Sequence, residues 1–279
     1  MARKHYKENF GSIAELVKAA TNTWSARPPL SRGEESRAAG TTWNGGGTFE
    51  DAVDLITYGW SEGAEKIVKG IRALEQGFST RKNAYSIAGG RPKISRVISG
   101  RPDCMIRRGK RKGRKKVIRL GVNLSANYKV RARDIQNFGI GLLTVVNSLE
   151  AQGFSVELTA YEKSAIIGDT ITIATRIKNA GDALDVDRAA FVLSHPAFLR
   201  RFMFAIIESK VEYDAFTKNG GYGSASSVTQ GDVDADEYII AGLTNRTNLN
   251  TPKEAARHMV GLVNKLLGRD VLDLTGLED

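Results

Sequence analysis

Residues 117–124 read VIRLGVNL, and residues 134–153 read DIQNFGIGLLTVVNSLEAQG. The first run is short, apolar and rich in β-branched residues, which predicts a buried strand. The second run places its large apolar residues on one helical face and ends at a glycine, as amphipathic helices commonly do. These apolar residues are Ile135, Phe138, Leu142, Val145, Val146 and Leu149. A strand, a loop and a long helix open a β-α-β unit, so this stretch predicts an α/β fold.

The elements that follow continue this pattern. FSVELTAYE (154–162) and TITIATRIK (170–178) are two predicted strands, and the connection between them is short enough for an antiparallel hairpin. HPAFLRRFMFAIIESK (195–210) predicts a deeply packed helix, and EYIIAGLTN (237–245) predicts a further strand. The last helix begins in TPKEAARHMVGLVNKLLG (251–268), which opens with a capping box that has proline at the first helical position.

The chain divides into three regions by composition. Residues 1–80 form a predicted helical N-terminal region that contains a proline- and glycine-rich arm at 25–47. Residues 81–116 form a basic connector, and residues 117–279 form the α/β core.

The order β-α-β-β-α-β-α resembles a von Willebrand factor A (vWA) domain over roughly residues 117–270. The resemblance implies a doubly wound, mostly parallel sheet with one antiparallel edge strand. That family carries a metal-ion-dependent adhesion site with the pattern D-x-S-x-S after the first strand and a T-D-G-like turn after a later one. The matching positions here are Asn123, Ser125 and Asn127, followed by Thr244 and Asn245.

The aspartates of this adhesion site are missing. Asn123 and Asn245 stand where the family has ligand carboxylates, and hard divalent cations prefer carboxylate oxygens. The sequence therefore predicts no bound metal and no cofactor. Two roles stay open for the Asn/Ser cluster, which either caps the strand-end loop or keeps a polar binding pocket.

Two further segments resemble a family of uncharacterised bacteriophage proteins that combine a helical N-terminal region with such a core. They are WNGGGTFEDAVDLITYGWSEG (43–63) and HPAFLRR (195–201). This resemblance implies a viral protein that acts in the host cytoplasm or in the virion. The chain has no apolar run near the ~20 residues of a membrane span and no apolar segment at its N-terminus, so neither membrane association nor secretion is expected.

Positive charge is concentrated in one fifth of the chain. Residues 81–135 contain eighteen Lys or Arg and two acids, a local charge of +16 in a chain of net charge +10, so the remaining residues sum to −6. Such segregation is an electrostatic footprint for a polyanion, and nucleic acid, either DNA or RNA, is the predicted partner.

The predicted contacts are arginine-rich, and arginine binds phosphate in a bidentate manner. They are Arg107, Arg108, Lys110, Arg111, Lys112, Arg114, Lys115 and Lys116 in the run RRGKRKGRKK, with Arg91, Lys93, Arg96, Arg101, Arg131 and Arg133 beside it. Tyr85 and Tyr128 are the nearest aromatic residues. Two aromatics are few for a binder that relies on base stacking, so non-specific backbone binding is the predicted mode.

Two alternatives remain. In the first, the protein is a virion or assembly protein that forms homo-oligomers or contacts other virion subunits. Its basic region would contact packaged genome or an acidic neighbouring subunit, and its N-terminal arm would exchange between protomers. In the second, it is a metal-dependent nuclease that uses the aspartates of GDALDVD (181–187) and GDVDADE (231–237). His195 and Cys104 are the other reactive side chains considered, and a structural role is expected for each. The sequence contains no G-x-S-x-G and no P-loop, and no enzymatic activity is predicted.

Overall fold

The computed structural model describes residues 3–21, 30–32, 43–75, 85–87, 91–92, 97–106, 116–217, 224–244, 247, 249–268 and 272. The strands are β1 His5–Phe10, β2 Tyr85–Ser86, β3 Arg91–Pro92, β4 Met105–Ile106, β5 Val117–Asn123, β6 Ser155–Ile166, β7 Asp169–Lys178, β8 Ser224–Ala225 and β9 Glu237–Ile240. The α-helices are α1 Ile13–Thr21, α2 Phe49–Tyr58, α3 Ser61–Glu75, α4 Ala132–Ala151, α5 Val186–Ser194, α6 Phe204–Glu208, α7 Asp214–Thr217 and α8 Pro252–Leu267. A π-helix, Phe198–Met203, precedes α6.

The main sheet has the order β1-β7-β6-β5-β9, and β8 pairs with the far end of β6. The pairs β1/β7, β5/β6 and β5/β9 are parallel, whereas β6/β7 and β6/β8 are antiparallel. The predicted α/β class and the mostly parallel sheet are therefore confirmed. Strands β2, β4 and β3 form a separate, small antiparallel sheet.

The antiparallel strand was expected at the edge of the sheet from the sequence analysis. In the structure this strand, β7, is not at the edge. Strand β1 lies outside β7 and pairs with it from His5↔Thr170 to Phe10↔Thr175, so the N-terminal region supplies a strand as well as helices. The sequence HYKENF gives a weak strand signal because only Tyr6 and Phe10 are large apolar residues. Both pack against the main core.

The hairpin between β6 and β7 is tighter than expected. The register continues to Ile166↔Asp169, so only Ile167 and Gly168 form the turn. Both have positive φ, +47° and +90°, which is the requirement of a type I′ turn. The segment that was expected to be a loop therefore extends the strands.

All described helices that pack on the sheet cover one face, which corrects the expected doubly wound arrangement. Side chains alternate between the faces of a strand. One set joins a single apolar cluster with the helices, and its members are Ile118, Leu120, Val122, Val156, Leu158, Ala160, Ile171, Ile173 and Ile240. The opposite set includes Arg119, Glu157, Thr159, Tyr161, Lys163, Thr172 and Arg176. A sheet covered on both faces would carry continuous apolar strands, and these strands alternate.

Helix α4 is the centre of the helical layer and packs closely on two neighbours. A Cβ added at Gly139 would lie 2.6 Å from the backbone oxygen of Leu193 in α5. A Cβ added at Gly141 would lie 2.7 Å from the backbone of Ala255 in α8. Glycine is therefore required at both positions for the helices to approach this closely.

Among the described residues, no single helix is long and apolar enough to cross a membrane. The bent pair Val186–Ser194 and Phe198–Glu208 would reach the required length together, with an angle of 70° between its two parts. Phe191, Phe198 and Phe202 of this pair are fully buried in the core.

Candidate nucleic-acid interface

The carboxyl ends of β5 and β9 meet at one edge of the sheet. A Cβ on Gly242 would lie 2.8 Å from the backbone oxygen of Asn123, so the loops after the two strands are in direct contact. Asn123 Oδ1 accepts a hydrogen bond from Ser125 N at 2.9 Å, and Asn123 Nδ2 donates to Ser226 O at 3.3 Å. Ser125 Oγ accepts from Lys163 N at 2.7 Å. The buried Asn/Ser pair thus fastens the strand end, which agrees with a capping role.

The remaining positions of the predicted adhesion site also make local hydrogen bonds. Asn127 Oδ1 accepts from Lys129 N at 3.0 Å, and Thr244 N donates to Thr247 Oγ1 at 3.1 Å. Asn245 lies outside the described residues. A cavity of about 20 Å³ beside Asn123 has space for about one water molecule.

Two consecutive arginines of the π-helix are buried and tie the N-terminal segment to the core. Arg200 donates to the backbone oxygens of Trp43 and of Val130, the latter at 2.9 Å, and its guanidinium lies 4.3 Å from the Trp43 ring centre. Burial lowers the pKa of Arg200 to about 10. Arg201 donates to Ser31 O at 2.9 Å and to the backbone oxygen of Gly47. These contacts were not predicted in the sequence analysis, because HPAFLRR was interpreted there from its apolar residues alone.

The structure describes only part of the predicted basic set. Lys93, Arg96, Arg107, Arg108, Lys110, Arg111, Lys112, Arg114 and Lys115 lie outside the described residues, as does most of the arm at 25–47. Arg91 is in β3, and Arg101 is 3.7 Å from Asp103 in an exposed ion pair. Lys116 is exposed directly before β5, and its backbone oxygen accepts from Ser155 N at 3.0 Å. The end of the basic run is therefore fixed at the amino end of β5.

Arg131 and Arg133 lie at the other end of the sheet, where α4 begins. Strand β5 separates this end from Lys116 by about 20 Å, because seven residues of a strand rise by 3.3 Å each. Arg131 makes a bidentate pair with Asp134 at 2.7 and 2.9 Å, and Arg133 Nη2 donates to Asn250 Oδ1 at 2.8 Å. Among the predicted basic residues that are described, Lys116 and the pair Arg131 and Arg133 thus lie at opposite ends of β5.

The face of the sheet opposite the helices, called the open face because no described helix packs on it, is partly covered by the segment 226–237 and holds a polar network that is internally neutralised. Arg119 pairs with Asp236 and, at 3.3 Å, with Glu157, which also pairs with Arg176. Lys163 Nζ contacts both carboxylate oxygens of Asp232 at 2.8 Å.

A hydrogen bond of 2.6 Å from Tyr161 Oη to Glu237 Oε2 belongs to the same face. Burial raises the pKa of both groups, and their mutual hydrogen bond keeps the Tyr161 proton in place. Together with the Lys163–Asp232 pair, this bond fastens the segment 226–237 across the sheet.

The two aspartate clusters do not converge. Asp185 caps α5, where its carboxylate accepts from Arg188 N at 3.1 Å, and α5 belongs to the helix-covered side. Asp232 lies on the open face in its pair with Lys163. Among the described residues, no three His, Cys, Asp or Glu side chains are grouped as metal ligands.

His195 and Cys104 are the two other reactive side chains that the sequence analysis considered. His195 is 8% exposed between the rings of Phe191 and Trp60, and its Nδ1 accepts from Ala197 N at 3.2 Å. Burial lowers the pKa of His195 to about 4, and the charge of nearby Glu62 offsets part of this effect. Cys104 is a free, partly buried thiol. The contacts of His195 are those of a core residue.

Comparison with known proteins gives one match. The model of a family described as a domain of unknown function, DUF7192, matches residues 1–270. No curated protein matches the chain. No solved structure matches it either.

Proposed function

We propose that this chain, which belongs to the DUF7192 family of domains of unknown function, binds the phosphate backbone of nucleic acids through its basic segment, residues 81–116. The observation that carries the proposal is the segregation of charge. Residues 81–135 carry a net charge of +16, whereas the rest of the chain carries a net charge of −6. A basic segment on an acidic body attracts a polyanion locally, and cations spread over the surface would not.

The contacts of the described cations support this proposal. Arg119, Lys163 and Arg176 on the open face are already paired with carboxylates of the same face. Lys116 makes no ion pair within the described part of the chain, and it is the last residue of the basic run. We therefore assign phosphate binding to the basic run, which ends at Lys116, and not to the paired cations of the sheet.

The same segment defines the expected binding mode. If six to eight of its cations contact phosphates, log K falls against log salt with a slope of roughly −5 to −7 on duplex DNA, and less steeply on single strands. Contacts to phosphate carry no direct sequence information, so the affinity is expected to depend little on sequence.

Fluorescence anisotropy across a salt series tests the proposal with single-stranded DNA, duplex DNA and RNA. The test variant replaces Lys110, Arg111, Lys112, Arg114, Lys115 and Lys116 by alanine. The control variant replaces exposed lysines of three helices, Lys18, Lys66, Lys69 and Lys265. We expect the test variant to lose most of its affinity and salt dependence, and the control to keep both. Undiminished binding by the test variant would exclude the basic segment as the binding site.

The virion or assembly role predicts a different outcome. A particle-associated protein whose basic segment contacts acidic subunits would bind none of the three nucleic acids as a purified chain. That result would replace the present proposal.

A further inference from the structure

The loop at residues 127–130 is held rigidly at the carboxyl end of β5. Val130 N donates to Asn127 O at 2.9 Å, and Asn127 Oδ1 accepts from Lys129 N at 3.0 Å. From outside the loop, Trp43 Nε1 donates to Tyr128 O at 3.0 Å. Buried Arg200 donates to Val130 O at 2.9 Å. Four hydrogen bonds thus fix the backbone of a four-residue loop.

Asn127, Tyr128 and Lys129 of this loop are exposed, whereas Val130 is buried in the core. The Tyr128 side chain is 59% exposed, and Lys129 Nζ lies 5.6 Å from its ring centre. An aromatic ring on a fixed backbone loses little conformational entropy when a flat group stacks on it, because the loop is already ordered. A cation beside the ring adds attraction for an anionic group attached to that flat ligand.

Two further cations, Arg131 and Arg133, follow the loop at the start of α4. Exposed Arg133 is oriented by Asn250, and Arg131 is neutralised by its bidentate pair with Asp134. Within the described part of the chain, neither Lys129 nor Arg133 forms an ion pair with a carboxylate. Residues 128–133 therefore offer one exposed aromatic ring and two cations without a carboxylate partner.

We propose that this loop binds single-stranded nucleic acid, with a base stacked on Tyr128 and neighbouring phosphates on Lys129 and Arg133. The inference rests on the proposed nucleic-acid binding and adds a second contact about 20 Å from Lys116, at the opposite end of β5. Rings that stack on bases tolerate any sequence, whereas the bases of a duplex are already stacked and are not free to bind. The loop should therefore distinguish single strands from duplexes, which the basic segment does not.

The test compares variants of one residue on two probes. The probes are a labelled polythymidine of about 16 nucleotides and a duplex of the same length. Tyr128→Ala should weaken binding of the single strand about 5- to 100-fold, the usual effect of losing one stacked base. Tyr128→Phe keeps the ring and should restore the affinity, and duplex binding should stay unchanged in both variants. Tyr58→Ala removes a tyrosine that is 82% exposed on α2 and serves as the matched control.

The outcomes distinguish failure of the Tyr128 stacking site from failure of the basic segment. If Tyr128→Ala binds the single strand as tightly as the unmodified protein, or weakens duplex and single strand alike, the stacking site is excluded. The basic segment is then judged separately, by whether the six-alanine variant loses affinity. If the unmodified protein binds neither probe, both proposals fail. Lys129→Ala gives an independent readout, since losing one phosphate contact should reduce the salt slope on single strands by about 0.7.

Discussion

Glu162 gives the sharpest prediction about stability, because it is a buried carboxyl on the helix-covered face of β6. Its side chain is 2% exposed, and Ser164 Oγ donates to Oε1 at 2.6 Å. Within the described part of the chain, Oε2 has no hydrogen-bond partner. Burial raises the pKa of this carboxyl to about 7, although the hydrogen bond from Ser164 offsets part of the rise.

The raised pKa fixes the sign of the effect. The folded state holds the Glu162 proton up to about pH 7, whereas the unfolded chain releases it near the ordinary value of 4.5. The folded state therefore binds more protons between these values, and stability is lost as the pH rises from 4.5 through 7. At about 1.4 kcal/mol per pKa unit, the cost at pH 8 is on the order of 3 kcal/mol. Glu162→Gln removes the charge and keeps the shape, so the variant should gain about 2–3 kcal/mol on the unmodified protein between pH 5 and pH 8.

Urea unfolding at pH 5 and pH 8 measures this difference, and comparing variant with parent cancels the titration of other groups. Glu157→Gln is the matched control on the same strand. Glu157 lies on the open face and accepts ion pairs from Arg119 and Arg176, so its replacement should destabilise the protein. A Glu162→Gln variant whose stability differs from the parent by the same amount at both pH values would refute the reasoning.

Two further substitutions test backbone packing. Gly141→Ala should lower the free energy of unfolding by about 1–3 kcal/mol in thermal or urea unfolding, because the new Cβ would lie 2.7 Å from the backbone of Ala255. Gly261→Ala makes the same change in open space on α8 and should instead stabilise by about 0.5–1 kcal/mol; equal effects of the two changes would contradict the close packing of α4 on α8. Ile167→Asn should raise the thermal midpoint, since Ile167 is 95% exposed with φ +47° and Asn-Gly is the favoured type I′ turn, whereas an unchanged or lower midpoint would argue against that turn.

Local features were predicted well from the sequence. The capping box at Thr251/Glu254 is present, as is the hairpin between β6 and β7. Each depends on residues close together in the chain, whose hydrogen bonds or turn geometry act over a few positions. The α/β class follows from the same local patterns, because the order of strands and helices limits how they can pack.

Long-range placement was predicted less well. The partner of β1 is β7, more than 150 residues later, and nothing in HYKENF specifies that partner. The alternation of polar and apolar residues along β6 indicates a sheet with only one apolar face. The resemblance to a doubly wound domain led instead to the expectation that helices cover both faces. The role of Arg200 in holding residues 43 and 130 depends on three segments that meet only in the folded chain.

The sequence by itself therefore determined the main elements of the α/β core, the cap of its last helix and the concentration of charge in residues 81–135, because propensity, capping and charge are properties of short segments. Only the tertiary structure decided which face of the sheet stays open and which cations are neutralised, because ion pairs such as Lys163–Asp232 join residues far apart in sequence. It also decided that Tyr128 and Lys116 lie at opposite ends of β5. That separation is set by the rise of an extended strand, and proximity in sequence does not show it.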